Sequence, residues 1–195
     1  MTPQPGHSPD QRKLIIGMSG ASGAVLGIRA LEALRAVDIE THLVISPAAK
    51  MTITQETDWK VSDVLALADR TYQHQDIGAA IASGSFETMG MLVLPCSVKT
   101  LSSIANAYNE NLLTRAADVT LKEGRPLLLA LRETPLHRGH IRLMDLAAQA
   151  GAIIFPPLPA FYSRPESISE MVDGLVGRIL ARVGIENDLY RRWGA

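Results

Sequence analysis

The segment Gly17-Met18-Ser19-Gly20-Ala21-Ser22-Gly23 spaces its glycines as G-x-x-G-x-x-G, which lets a backbone approach an anion and offer it free helix N–H groups. It reads equally as a structural strand-to-helix turn with Ser22 as N-cap. No Gly-Lys-Ser/Thr follows, so it is not a phosphate loop of that kind. Arg115 and Lys122 stand seven apart on one helical face, with Asp118 between them. Two such cations can hold a phosphate, or one can form an exposed ion pair of little energetic weight. Arg132 and Glu133 end the apolar run LLLAL, where a charged pair is desolvated unless it faces a ligand or a partner. A structural ion pair is the other reading. His137 and His140 have a spacing a metal could use, but no Cys or carboxylate constellation joins them, and no metal is expected. Cys96 has no His nearby in sequence to activate it and reads as a small buried hydrophobe. Tyr162 fits a ligand contact or an interface aromatic, and Arg178 a ligand contact or a solvated charge.

These residues need elements to carry them. Near-continuous apolar runs at 13–18, 41–46, 90–95, 126–132 and 152–155 predict strands covered on both faces. Helical patterns fall at 22–37, 47–56, 98–107, 110–123, 141–150 and 167–183, the fourth stopped by Gly124 and Pro126. Alternating strands and helices predict an α/β domain with a mostly parallel sheet and right-handed crossovers. The ligand crevice then lies beyond the strands' carboxyl ends. Glycine, small hydroxyl residues and the Arg132-Glu133 dipeptide collect there, which suits a phosphate-bearing ligand. The second strand ends at Ser46-Pro47, where a dinucleotide would need an acidic residue. None of Tyr72, Tyr108, Tyr162 and Tyr190 has a lysine four positions on, so the short-chain dehydrogenase pair is absent. A mononucleotide fits better.

Composition bounds the rest. A length of 195 residues suits one domain, and 47% hydrophobic against 20% charged residues excludes a disordered polymer. The net charge of -1 supplies no field for nucleic acid or an anionic membrane. One cysteine excludes a disulfide framework and a Cys-rich zinc site, as in a reducing compartment. There is no apolar run long enough to span a membrane and no signal-type apolar segment near the start, so a cytoplasmic protein is expected. Residues 1–12, rich in Pro and polar residues, read as a flexible extension to a single α/β domain at 13–195.

Taken together, GMSGASGA (17–24), SPAA (46–49), QETD (55–58), ASGSF (82–86), PCSVKTLSSIA (95–105), LLTRAADVTLKEGRPLLLALRETPL (112–136) and PPLPAFYSRPESI (156–168) resemble the flavin prenyltransferase family over nearly the whole chain after residue 12. The resemblance implies a three-layer, doubly wound, Rossmann-like or flavodoxin-like single domain that binds FMN. It implies metal-independent transfer of a dimethylallyl group from dimethylallyl monophosphate to N5 and C6 of reduced FMN. A partner decarboxylase of ubiquinone or aromatic-acid metabolism would receive the prenylated FMN, and sites would be built between subunits of a homo-oligomer, a dodecamer. By similarity, Gly20, Ala21, Ser22, Ser46, Ser97, Val98, Lys99, Thr100 and Arg132 bind FMN. Arg115, Lys122, Tyr162 and Arg178 bind substrate phosphate, while Glu133, Glu56, Ser22 and Lys122 serve catalysis. The family often carries Trp where Ile77 stands. The rival readings are a flavin-dependent cysteinyl decarboxylase, which predicts a catalytic His and an Asn-containing motif where Pro-Cys-Ser-Val-Lys-Thr stands, and a non-catalytic FMN carrier.

Overall fold

The computed structural model describes residues 12–194. Its strands are β1 (Arg12–Met18), β2 (Ile39–Ile45), β3 (Arg70–Tyr72), β4 (Met91–Cys96), β5 (Leu127–Leu131) and β6 (Ile153–Ile154). They form one sheet in the order β3-β2-β1-β4-β5-β6, and every pairing is parallel. The sheet is therefore wholly rather than mostly parallel. β3 escapes sequence reading because it is three residues at the sheet edge, none of them fully buried. Without it the order is the flavodoxin-like 2-1-3-4-5; with it the order is the Rossmann 3-2-1-4-5-6. The N-terminal extension lies, except for Arg12, outside the described residues; Arg12 opens β1.

The helices are α1 (Ala24–Leu34), α2 (Pro47–Glu56), α3 (Val61–Leu65), α4 (Val98–Ala105), α5 (Leu112–Lys122), α6 (Arg138–Gln149) and α7 (Ile168–Arg182). Side chains alternate across a strand, so β1 feeds both layers. Leu14, Ile16 and Met18 join Leu31 of α1, Ile53 of α2, Val64 of α3 and Val176 of α7. On the other face Ile15 joins Met91 and Val93 of β4, Leu101 of α4, Leu113 of α5 and Ala147 of α6. Two covered faces explain why the strands read as unbroken apolar runs.

Helix ends follow local chemistry. α6 starts three residues before the expected 141 because His137 caps it, its Nδ1 accepting the Gly139 amide at 2.9 Å. Only Ala147 of α6 is buried. α5 opens with a reciprocal box in which Asn111 accepts from the Thr114 amide and the Thr114 hydroxyl accepts from the Asn111 amide. Among the described residues no helix is long and apolar enough to cross a membrane.

Candidate active site

The connections from β1 and β4 leave in opposite directions, so the crevice opens beyond their carboxyl ends. Ser19, 1% exposed, joins the two strands there. Its Oγ donates to the Pro95 carbonyl at 2.9 Å and accepts the Ser97 amide at 2.7 Å. Gly20 is required by close approach, since a Cβ would sit 2.3 Å from the Cβ of Ala48 in α2. The expected N-cap at Ser22 is replaced by Gly23, whose φ of 103° is a left-handed conformation that glycine adopts without strain. No side chain of the turn itself caps α1. Instead Glu56, at the end of α2, reaches across, its Oε2 accepting the Gly23 and Ala24 amides at 2.8 and 3.2 Å. A carboxylate at a helix N-terminus is also favoured by the helix dipole.

A cleft of about 370 Å³ lies beside this turn. Gly20, Ser46, Ser97, Lys99 and Thr100 line it with the first turns of α2, α4 and α5. Ser46 caps α2 by accepting the Ala49 amide at 3.1 Å, and Ser97 caps α4 by accepting the Thr100 amide at 3.3 Å. The Ser97 hydroxyl proton goes to Thr100 Oγ1 at 3.1 Å. Hydroxyls, helix amides and Lys99 suit one phosphate and a polyol chain. The cleft's carboxylate, Glu110, lies 3.6 Å from Lys99, and no acid stands at Ser46 to clamp a second ribose. The donor set therefore fits FMN.

Sequence reasoning missed His74 on this wall. Its carbonyl accepts the Leu112 amide at 2.9 Å, tying the irregular segment after β3 to the start of α5. Burial first, then the Lys99 charge, push its imidazole below the ordinary pKa, with Glu110 opposing. No periodicity signals such a residue, because the segment around it is neither strand nor helix.

The other expected residues lie elsewhere. Arg115 pairs with Asp118 at 3.0 Å, as the spacing allowed, and its Nε donates to the Ala82 carbonyl at 3.3 Å. Lys122 does not share Asp118; it pairs with its neighbour Glu123. Arg132 and Glu133 form no ion pair and are exposed, because β5 ends at Leu131 and the chain turns outward. The Arg132 amide donates to the Cys96 carbonyl at 3.1 Å, while Glu133 Oε1 accepts the Thr134 amide at 3.0 Å. Tyr162 and Arg178 line a second cleft of about 210 Å³. There the Tyr162 hydroxyl donates to the Arg191 carbonyl at 3.3 Å and its ring meets Trp193 edge-on. The Arg178 guanidinium lies 5.7 Å from the Phe155 ring centre. Cys96 is fully buried, and burial pushes its thiol up to about 12, which keeps it protonated and unreactive. The His137 and His140 ring centres lie 3.7 Å apart with the rings tilted by 34°.

This geometry, a doubly wound parallel sheet with a mononucleotide-sized polar cleft at its switch point, is that of a nucleotide-binding α/β protein. A flavoprotein family model matches residues 2–180. The flavin prenyltransferase UbiX of Escherichia coli K12 is 56% identical over 185 residues, covering 93% of this chain and 98% of that protein. A crystal structure of AnUbiX (PadA1) in complex with FMN and dimethylallyl pyrophosphate superposes with a TM-score of 0.93 at 46% identity, covering 95% of this chain and 98% of that one. A dodecameric FMN-dependent UbiX-like decarboxylase from Escherichia coli O157:H7 gives 0.92 at 48% identity, covering 94% and 100%. The chain belongs to the flavoprotein family and, within it, to the flavin prenyltransferases.

Proposed function

We propose that this protein transfers a dimethylallyl group from dimethylallyl monophosphate to N5 and C6 of reduced FMN, and that a partner decarboxylase of ubiquinone or aromatic-acid metabolism takes up the product. The observation that carries this reading is the 56% identity to a flavin prenyltransferase across 98% of that protein's length. When bound, reduced FMN would supply N5, which replaces phosphate on the allyl carbon, and C6, which gives up its proton for a bond to the far alkene carbon as the middle carbon gains one.

The chain's own residues do the rest. Gly20, Ser46, Ser97, Lys99 and Thr100, which line the switch-point cleft, hold the flavin's phosphate and side chain, and the resemblance adds Ala21, Ser22, Val98 and Arg132, which stand outside that lining in the turns beside it. Arg115, Lys122 and Arg178 offer cations to the departing phosphate, with Tyr162 donating a hydrogen bond. Glu133 has one carboxylate oxygen held by the Thr134 amide and the other free to move protons. Glu56, anchored on the Gly23 amide next to Ser22, assists proton transfer at the flavin.

One copy does not bring these groups together. Lys122 ends α5 on one face of the sheet, about 15 Å along the helix from its cleft-lining first turn. Arg178 belongs to α7 on the opposite face. Assembly into a dodecamer, like the Escherichia coli O157:H7 protein, would let neighbours complete each site. The exposed Leu158, Phe161, Ile168 and Trp193 supply apolar surface for such contacts. A cytoplasmic location accords with this reading. Lys122→Ala and Arg178→Ala should each lower kcat/KM for the allyl phosphate by the equivalent of about 2–4 kcal/mol while leaving FMN affinity intact. Wild-type rates in both at limiting allyl phosphate would overturn the assignment.

A further inference from the structure

The turn that ends α5 is built to aim one side chain. Gly124, at φ 67°, lets its own amide bond the Leu121 carbonyl and the Arg125 amide bond the Thr120 carbonyl, both at 2.9 Å. This paired closure fixes the Arg125 backbone immediately after the helix. The Arg125 guanidinium then spans to the 82–86 loop, donating from Nη1 to the Phe86 carbonyl at 2.8 Å and from Nη2 to the Gly84 carbonyl at 2.9 Å. Arg115 donates to the Ala82 carbonyl of the same loop. Three carbonyls of one short loop are thus held by two guanidinium groups from α5 and its closing turn.

Gly84 lies between these anchors and against the Lys122–Glu123 pair. A Cβ built there would stand 2.8 Å from Lys122 Nζ and 2.0 Å from Glu123 Oε1. The φ of Gly84 lies outside the left-handed range, so what the position demands is space rather than backbone freedom. The hydrogen bond and charge of Lys122 hold the Glu123 carboxyl below its ordinary pKa.

We propose that Arg125 and Gly84 are positioning residues for Lys122: Arg125 fixes the loop backbone, and the bare Gly84 leaves the space in which the Lys122 ammonium is presented to the allyl phosphate. The inference rests on the reading of Lys122 as a phosphate cation. A merely structural clamp would instead move fold stability and flavin affinity together.

The experiment measures KM and kcat for dimethylallyl monophosphate, FMN affinity by flavin fluorescence, and melting temperature in Gly84→Ala, Arg125→Ala, Arg125→Lys and Lys122→Ala. Gly84→Ala displaces flexible side-chain tips, so the fold should persist. Its KM should rise about tenfold, as when one charge-assisted contact is weakened rather than lost, with FMN affinity held within about twofold. Arg125→Ala should show the same KM rise, and Arg125→Lys, which restores one donor, should recover part of it. If Lys122→Ala is impaired while Gly84→Ala and Arg125→Ala keep wild-type KM, the positioning role is wrong and Lys122's role stands. A wild-type KM in Lys122→Ala would remove the phosphate role of Lys122 and the inference with it.

Discussion

Ser19→Ala is the most informative single perturbation of the scaffold. The hydroxyl is buried and bridges the Pro95 carbonyl and the Ser97 amide; alanine leaves the Ser97 amide without its acceptor where water has little access, while the Pro95 carbonyl still accepts the residue-19 amide at 3.2 Å. One orphaned buried amide costs about 1–3 kcal/mol, so a loss of about 2 kcal/mol is expected. For a chain of this size about 1 kcal/mol corresponds to about 2–4 °C, giving a fall in melting temperature of about 4–8 °C. The Ser97 amide also precedes α4, whose first turn lines the flavin cleft, so FMN affinity should fall in the same variant. Urea unfolding and fluorescence titration with FMN read the two effects separately. A melting temperature within about 2 °C of wild type together with unchanged FMN affinity would refute the claim that this bridge sets the crevice.

Glu133→Gln should retain FMN affinity and assembly while slowing prenylation by about 10²–10⁴, because an amide cannot accept and return a proton; a wild-type single-turnover rate would contradict it. Cys96 gives a pH test. Its folded thiol is raised from about 9 to about 12, so between those values the unfolded chain has released a proton that the native chain retains. This contribution is fully present below pH 9 and is lost as pH rises toward 12, so unfolding free energy should fall by up to about 1.4 kcal/mol per pH unit from this group. Cys96→Ala should flatten that slope relative to wild type in denaturant titrations, and identical slopes would show that the thiol does not titrate this way.

The sheet was legible because its strands are covered on both faces and announce themselves as LIIGM, MLVLP and LLLAL. β3 was not, since three half-exposed edge residues carry no alternation. Ser46 and Ser97 were expected at the flavin site from the resemblance; the structure places both on the cleft and adds that each caps a helix. The cap of α1 misled because its partner, Glu56, lies more than thirty residues away in sequence and meets the turn only through the tertiary fold. Arg132-Glu133 looked like a desolvated pair because the apolar run before it conceals where the strand stops. His74 and the loop clamp of Arg125 were invisible for the same reason: both depend on irregular segments brought against α5.

Flavin prenylation can be read from the mass of the flavin itself. Purified protein, FMN, a chemical reductant and dimethylallyl monophosphate are incubated without oxygen, and the flavin is released and weighed by mass spectrometry. FMN should be recovered heavier by one dimethylallyl unit, and only when protein and allyl phosphate are both present. Unmodified FMN recovered after complete reduction and tight flavin binding would contradict it.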